Sequence, residues 1–261
     1  MRRAYVDHDR KLIVCWAPKC ACTSVVNWFM HGLLGLDNQE WRVDKIRGKR
    51  PWLVKKGYRL GPAEVISCID QGYYSVAFTL DPFERAVSAY INQFVVSRSN
   101  HRVDFKDLHG ISQRLYLKIK NVSENEARQT YEGITFNEYL TSVATAILRR
   151  GHRDAKLDIH WNTQVPFNWT EHHLKSVRRW DIKEFDQGIL ELNHHFGCTY
   201  MPEKSNITVF DSTYEPAAPD LSSRQLASLD KPPSRESFDN ETTRELVKIA
   251  YGFDYEMLGY S

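Results

Sequence analysis

The chain has 261 residues, 42% hydrophobic and 26% charged, which excludes general disorder and allows one large domain or two small ones. Its 35 Lys and Arg nearly balance 33 Asp and Glu, for a formal charge of +2. That balance excludes the basic coat of a nucleic-acid binder, so an anion must be met by a local cluster.

No run reaches the roughly 20 apolar residues of a membrane span. The longest, 24–36, is broken by Asn27, His31, Gly32 and Gly35. The basic start leads into Asp7-His8-Asp9, so no signal peptide is expected. Cys15, Cys20, Cys22, Cys68 and Cys198 are odd in number and irregular in spacing, unlike a disulfide framework. Cys20-Ala21-Cys22 has no second pair to complete a zinc site. These thiols are read as structural or incidental in a reducing compartment. The expected location is therefore cytoplasmic, or the Golgi lumen if an N-terminal anchor has been removed. The sequons at Asn121, Asn168, Asn206 and Asn240 are read as chance.

Lys11 to Trp16 is a short apolar, partly β-branched run and predicts a buried strand ended by Pro18. From Thr23 the spacing of Val26, Trp28, Phe29, Leu33 and Leu34 predicts a helix that stops at Gly35. Between 40 and 59, Lys and Arg outnumber acids around Trp41 and Trp52, as in a solvated loop or an anion-facing lip. Tyr74 to Leu80 predicts a second strand, ended by Asp81-Pro82, and 83–96 a helix with Phe83, Val87, Tyr90 and Phe94 on its apolar face. Residues 97–130 show no clear period. Thr135-Phe136-Asn137-Glu138 is a capping box opening a helix. A further helix is expected from Ile182 to Phe196, closed by Gly197. Residues 201–240 read mostly as loop, and Thr243 to Tyr251 as a last short helix. Alternating strands and helices with no strong linker argue for one α/β domain over 1–261 around a central parallel sheet.

Two segments carry chemistry. Pro18-Lys19-Cys20-Ala21-Cys22-Thr23-Ser24 joins a buried strand to a helix N-terminus, where unpaired N–H groups and the helix dipole suit a phosphate. Lys19 adds charge and Thr23 and Ser24 add hydroxyls; the Walker glycines are missing. An ordinary strand–turn–helix with an N-cap threonine fits the spacing equally. In Leu80-Asp81-Pro82-Phe83-Glu84-Arg85-Ala86-Val87-Ser88-Ala89-Tyr90 a second strand end enters a helix, with Arg85 and Ser88 neighbours on it. Taken alone, Arg85 reads as a surface ion-pair residue or a ligand.

PKCACTS resembles the 5′-phosphosulfate loop, PKxACT, of the carbohydrate sulfotransferases of sulfotransferase family 2, the group of the HNK-1 and chondroitin/dermatan 4-O-sulfotransferases. LDPFERAVSAY resembles their 3′-phosphate segment, RDPFERLxSAY. Thr135 to Leu140 resembles TFxEFL, His160-Trp161-Asn162-Thr163-Gln164 resembles HWxPQ, and the ending resembles DFELFGYS, all in family order over 12–261. The resemblance implies a single α/β domain related to nucleotide kinases. It implies transfer of a sulfuryl group from 3′-phosphoadenosine-5′-phosphosulfate (PAPS) to a hydroxyl or amine, most readily of a saccharide, with the 3′,5′-bisphosphate as product and no metal. By position, Lys19 and Thr23, with the rest of the loop, would hold the 5′ side, and Ser88 and Arg85 the 3′ side. His160, in the HWxxQ match, is the candidate base; a structural His-Trp pair is the other reading, and Glu64 and Asp158 are weaker candidates. His172-His173 and His194-His195 read as polar helix faces.

Leu80 stands where the family has arginine, and Thr163 where it has proline. Losing a charge-assisted contact costs on the order of 1.5–3 kcal/mol. Arg85, Arg98 or Arg102 would have to substitute, or donor binding is weak, or the chain is a non-catalytic binding protein on this fold.

Overall fold

The computed structural model describes residues 3–36, 52–97, 100–154, 157–203 and 210–260. The basic stretch singled out between 40 and 59 lies largely outside them, as does Arg98. Two compact units emerge, Met1–Leu80 with Thr163–Ser205, and Asp81–Asn162 with Asn206–Ser261.

The first unit begins with β1 (Arg3–Asp7) and β2 (Leu12–Trp16), a hairpin in register from Arg3 opposite Trp16 to Asp7 opposite Leu12. Arg10 holds its turn, donating to the Asp7 carboxylate at 2.6 Å. After α1 (Cys22–Asn27) come β3 (Arg59–Leu60), α2 (Pro62–Asp70) and β4 (Tyr74–Thr79). The second unit takes over with α3 (Pro82–Tyr90), the ribbon β5 (Val96–Ser97) and β6 (Asn100–His101), then α4 (Gly110–Lys120), α5 (Glu124–Thr130) and α6 (Phe136–Asp154). The chain returns to the first for α7 (Glu171–Lys175), β7 (Val177–Asp181) and α8 (Phe185–Phe196). It ends in the second with α9 (Ser223–Ala227) and α10 (Glu241–Leu258).

The fold is α/β, and its sheet is mixed. The order is β3-β1-β2-β4-β7: the β2, β4 and β7 ladder is parallel as expected, and β1 and β3 add an antiparallel side. All five residues of β2 are buried, the continuous apolar run of a strand covered on both faces. One apolar core gathers Trp16, Trp28, Phe29, Phe78 and Trp180 around this sheet. Gly188 of α8 permits close packing there, because a Cβ would lie 2.7 Å from the Phe78 ring. The second core is aromatic: Tyr90, Phe94, Phe136, Tyr139, Trp161 and Phe238 are buried together.

Several expectations are corrected. β1, β7 and α2 went unread, and 97–130 contains α4 and α5. The last helix runs 18 residues to Leu258, well past Tyr251. The helices that begin within the two singled-out segments, α1 and α3, both widen into π-helical turns, at Trp28–Leu33 and Ile91–Val95. The capping box at Thr135 forms: Glu138 N–H donates to the Thr135 hydroxyl at 3.0 Å, and Thr135 N–H to the Glu138 carboxylate at 2.8 Å. All five cysteines are free thiols. Among the described residues, no helix is long and apolar enough to cross a membrane.

Candidate active site

The two phosphate segments leave the C-terminal ends of β2 and β4, adjacent parallel strands, where open α/β sheets place their ligands. After Trp16 the chain turns tightly, and the Cys20 N–H donates to the Ala17 carbonyl at 3.2 Å. Lys19 and Ala21 take left-handed backbone, with φ of 73° and 52°. For a residue with a Cβ that region costs roughly 1–2 kcal/mol. Alternating handedness gathers backbone N–H groups into a concavity suited to an anion. Ala21 then serves as the N-cap of α1 and offers no capping oxygen. Pro18, Lys19, Ala21 and Cys22 are half-buried, and Cys20, Thr23 and Ser24 are buried. The Ser24 hydroxyl donates to the Glu203 carbonyl at 2.9 Å, so its proton is used inside this unit.

The Leu80 side chain is 2% exposed and packs with Ala17, Cys20 and Ile182. Its main chain is held by a buried glutamine. The buried Gln164 carboxamide accepts the Leu80 N–H at 3.0 Å through Oε1 and donates Nε2 to the Leu80 carbonyl at 2.7 Å. Cys20 Sγ lies 3.0 Å from the same Oε1 and donates its proton to it. Thr163, which replaces the family proline, donates its hydroxyl to the Val165 carbonyl at 2.8 Å and closes a small turn around Gln164.

In the second unit, Asp81 caps α3, its carboxylate accepting the Glu84 N–H at 3.0 Å, and Pro82 follows in the first helical turn. Arg235 reaches Glu84 at 3.1 Å. Arg85 is no surface ion-pair residue: it is 1% exposed, with its guanidinium 5.8 Å from the Tyr251 ring centroid. Burial pushes the Tyr251 hydroxyl above the ordinary tyrosine pKa, the Arg85 cation opposing it and Asp254 adding to it. Ser88, three residues on, is half-buried on the same face of α3. Arg102 donates to the Asn92 and Asp107 carbonyls, so its guanidinium is anchored in its own loop.

His160 and Asp158 form a pair in this unit. The ring Nδ1 lies 2.5 Å from Asp158 Oδ1, and the His160 N–H donates to the same oxygen at 3.0 Å. Burial works against the Asp158 carboxylate, but these hydrogen bonds outweigh it and hold its pKa below the ordinary value. The neighbouring Trp161 is core, stacked on Phe94 and edge-on to Tyr139, while His160 stays half-buried. Glu64 is a helix cap, accepting the Gly61 N–H at 2.7 Å. His173 Nδ1 accepts the Thr170 N–H at 2.9 Å, and the His195 ring stacks on Tyr74. Among the described residues, no group of three His, Cys, Asp or Glu is placed to hold a metal ion.

The chain is similar to proteins named carbohydrate sulfotransferase 11. It is 27% identical to that of Mus musculus over 225 residues, 82% of this chain and 60% of the relative. To that of Rattus norvegicus it is 28% identical with the same coverage, and to that of Danio rerio 26% over 62% of this chain and 44% of the relative. It thus spans about 60% of the mammalian relatives' length. No solved structure matches it. The model of the sulfotransferase family matches residues 2–261, a span that includes 18–24 and 80–90, and the chain belongs to that family.

Proposed function

We propose that this chain transfers a sulfuryl group from PAPS to a hydroxyl of a carbohydrate. One observation carries the reading: the loop strained at Lys19 and Ala21, which itself carries the lysine, at the C-terminal end of a parallel strand. A backbone held at that cost is characteristic of functional sites, and its N–H groups and the Lys19 ammonium fit the 5′-phosphosulfate. The carbohydrate is inferred from the relatives' names.

PAPS supplies a sulfur already bonded to a good leaving group, the 5′-phosphate oxygen. In the proposed role, Asp158 accepts the Nδ1 proton of His160 and so fixes the tautomer that leaves Nε2 able to take the acceptor's hydroxyl proton. The acceptor oxygen bonds to sulfur as the sulfur–oxygen bond to the 5′-phosphate breaks. The electron pair departs on that phosphate oxygen, and Lys19 and the loop N–H groups stabilise the charge. Ser88 donates to the 3′-phosphate.

Thermal shift with adenosine 3′,5′-bisphosphate, against ATP with Mg²⁺, tests donor binding, and transfer of labelled sulfate to a panel of saccharides tests the reaction. Stabilisation by the bisphosphate alone, with labelled product, is expected. Binding without transfer to any acceptor would replace the enzyme by a binding protein, and stabilisation by neither nucleotide would remove the donor reading.

A further inference from the structure

We infer that Gln164 is a positioning residue for the phosphosulfate loop, a role that rests on the donor reading above. Its carboxamide meets Leu80 as a neighbouring strand residue would, one bond accepted from N–H and one donated to C=O. It thereby completes the pairing of the chain just past the end of β4, where the ladder with β7 stops at Thr79 and Asp181. The same Oε1 takes the Cys20 thiol proton. Cys20 sits between the two left-handed residues of the loop. A buried side chain 144 residues away thus fixes the residue whose neighbours carry the backbone strain.

The orientation of the amide is determined by its partners. Turned over, it would set an NH2 against the Leu80 N–H and an oxygen against the Leu80 carbonyl. Glutamate keeps the two accepting contacts and loses the donated one. Methionine keeps the length and loses all three. Leu80 fits the arrangement: its buried side chain packs with Ala17, Ile182 and the buried Cys20 that the same carboxamide holds.

The experiment is calorimetry of adenosine 3′,5′-bisphosphate binding to the full chain, with labelled-donor kinetics, for wild type, Gln164→Met, Gln164→Glu and Cys20→Ala. The expected result is a donor KM and bisphosphate Kd raised roughly tenfold in Gln164→Met, about the worth of one or two hydrogen bonds. Gln164→Glu should fall between Gln164→Met and wild type, Cys20→Ala should show a two- to fourfold rise, and the acceptor KM should stay unchanged throughout. A merely structural residue would lower the melting temperature and leave the folded protein's Kd and donor KM at wild-type values; that outcome overturns the inference. Should Gln164→Met not fold, Cys20→Ala decides, and wild-type donor constants there overturn it equally. A wild-type protein that binds no bisphosphate ends the donor reading and this role with it, whereas normal wild-type binding with unaffected variants ends this role alone.

Discussion

The two phosphate segments are built on opposite principles. The loop after β2 is strained, has alanine at its N-cap, and is held from outside by Gln164 and Glu203. The helix start after β4 is relaxed: Asp81 caps it and Pro82 presets its first turn. A carboxylate already occupies the positive end of α3 and offsets its dipole, so in the proposed role a 3′-phosphate there would be held mainly by side chains such as Ser88. The first segment can bind charge with its backbone. The second needs the side chains it presents, which is why leucine at position 80 matters.

Lys19→Ala should break this contrast most severely, since it removes the charged side chain from the segment that otherwise relies on N–H groups. Turnover at saturating donor is expected to fall at least ~100-fold, as for loss of one oxyanion stabiliser. Near-normal turnover in a labelled-donor assay would shift the burden to the backbone alone.

His160→Ala should lower turnover by about 100-fold or more while bisphosphate binding stays intact, because a base serves the acceptor. Asp158→Asn sharpens the point by pH. The folded Asp158 pKa lies below its ordinary value, so its stabilising contribution is complete above the unfolded carboxylate pKa of about 3.9 and is lost as pH falls through the folded value. The stability gap between wild type and Asp158→Asn, followed by urea denaturation, should hold above pH 4 and close below it. A gap that does not narrow would mean that the hydrogen bonds to His160 do not favour the ionised carboxylate.

Leu80→Arg tests whether the second segment can be given the charge it lacks. A guanidinium placed among Ala17, Cys20 and Ile182 is buried and should cost about 2 kcal/mol or more in the ligand-free protein. If it reaches the 3′-phosphate, bisphosphate should restore the loss and bind roughly tenfold tighter than to wild type. Melting curves with and without ligand distinguish a repaired site from a damaged wall. Asp81→Ala, the mildest change, should cost about 1 kcal/mol in thermal denaturation through loss of the cap. No stability change would show that the relaxed start of α3 is held by something other than Asp81.

The strand–loop–helix units were legible because their cues are local: an apolar run, a proline or aspartate stop, a helical period. Gly197 and the Thr135 capping box were legible for the same reason. β1 and β7 were not. Arg3-Ala4-Tyr5-Val6-Asp7 is too short and charged to stand out, and the burial of Ala4 to Asp7 comes with their place between β2 and β3. Val177-Arg178-Arg179-Trp180-Asp181 buries just two of its side chains fully, as an edge strand does. In α4 the buried Leu115 and Tyr116 are masked by Leu117 and Ile119, which are apolar but only partly covered. The role of Gln164 had no local signal, since its partners are 84 and 144 residues distant. The burial of Arg85 could not be read locally, because a single arginine on an amphipathic helix fits a surface ion pair as well as a ligand and gives no hint of Tyr251 and Asp254, which arrive from the other end of the chain.

The π-helical turns after α1 and α3 bear on how this chain tolerates lengthening and shortening. Leu34 N–H reaches back five residues to Phe29 at 3.1 Å, and Val96 likewise to Ile91, so each turn holds one residue more than an α-helix would. Removing one residue there would leave a continuous α-helix in which the residues beyond keep roughly their orientation, and the turn itself would lose one side chain. Trp28, Phe29, Met30 and His31 are buried in succession, so such a deletion would be felt in the core and not absorbed as a loop change. When this sequence is aligned with relatives, a gap placed inside either turn is therefore a statement about the core behind a phosphate segment.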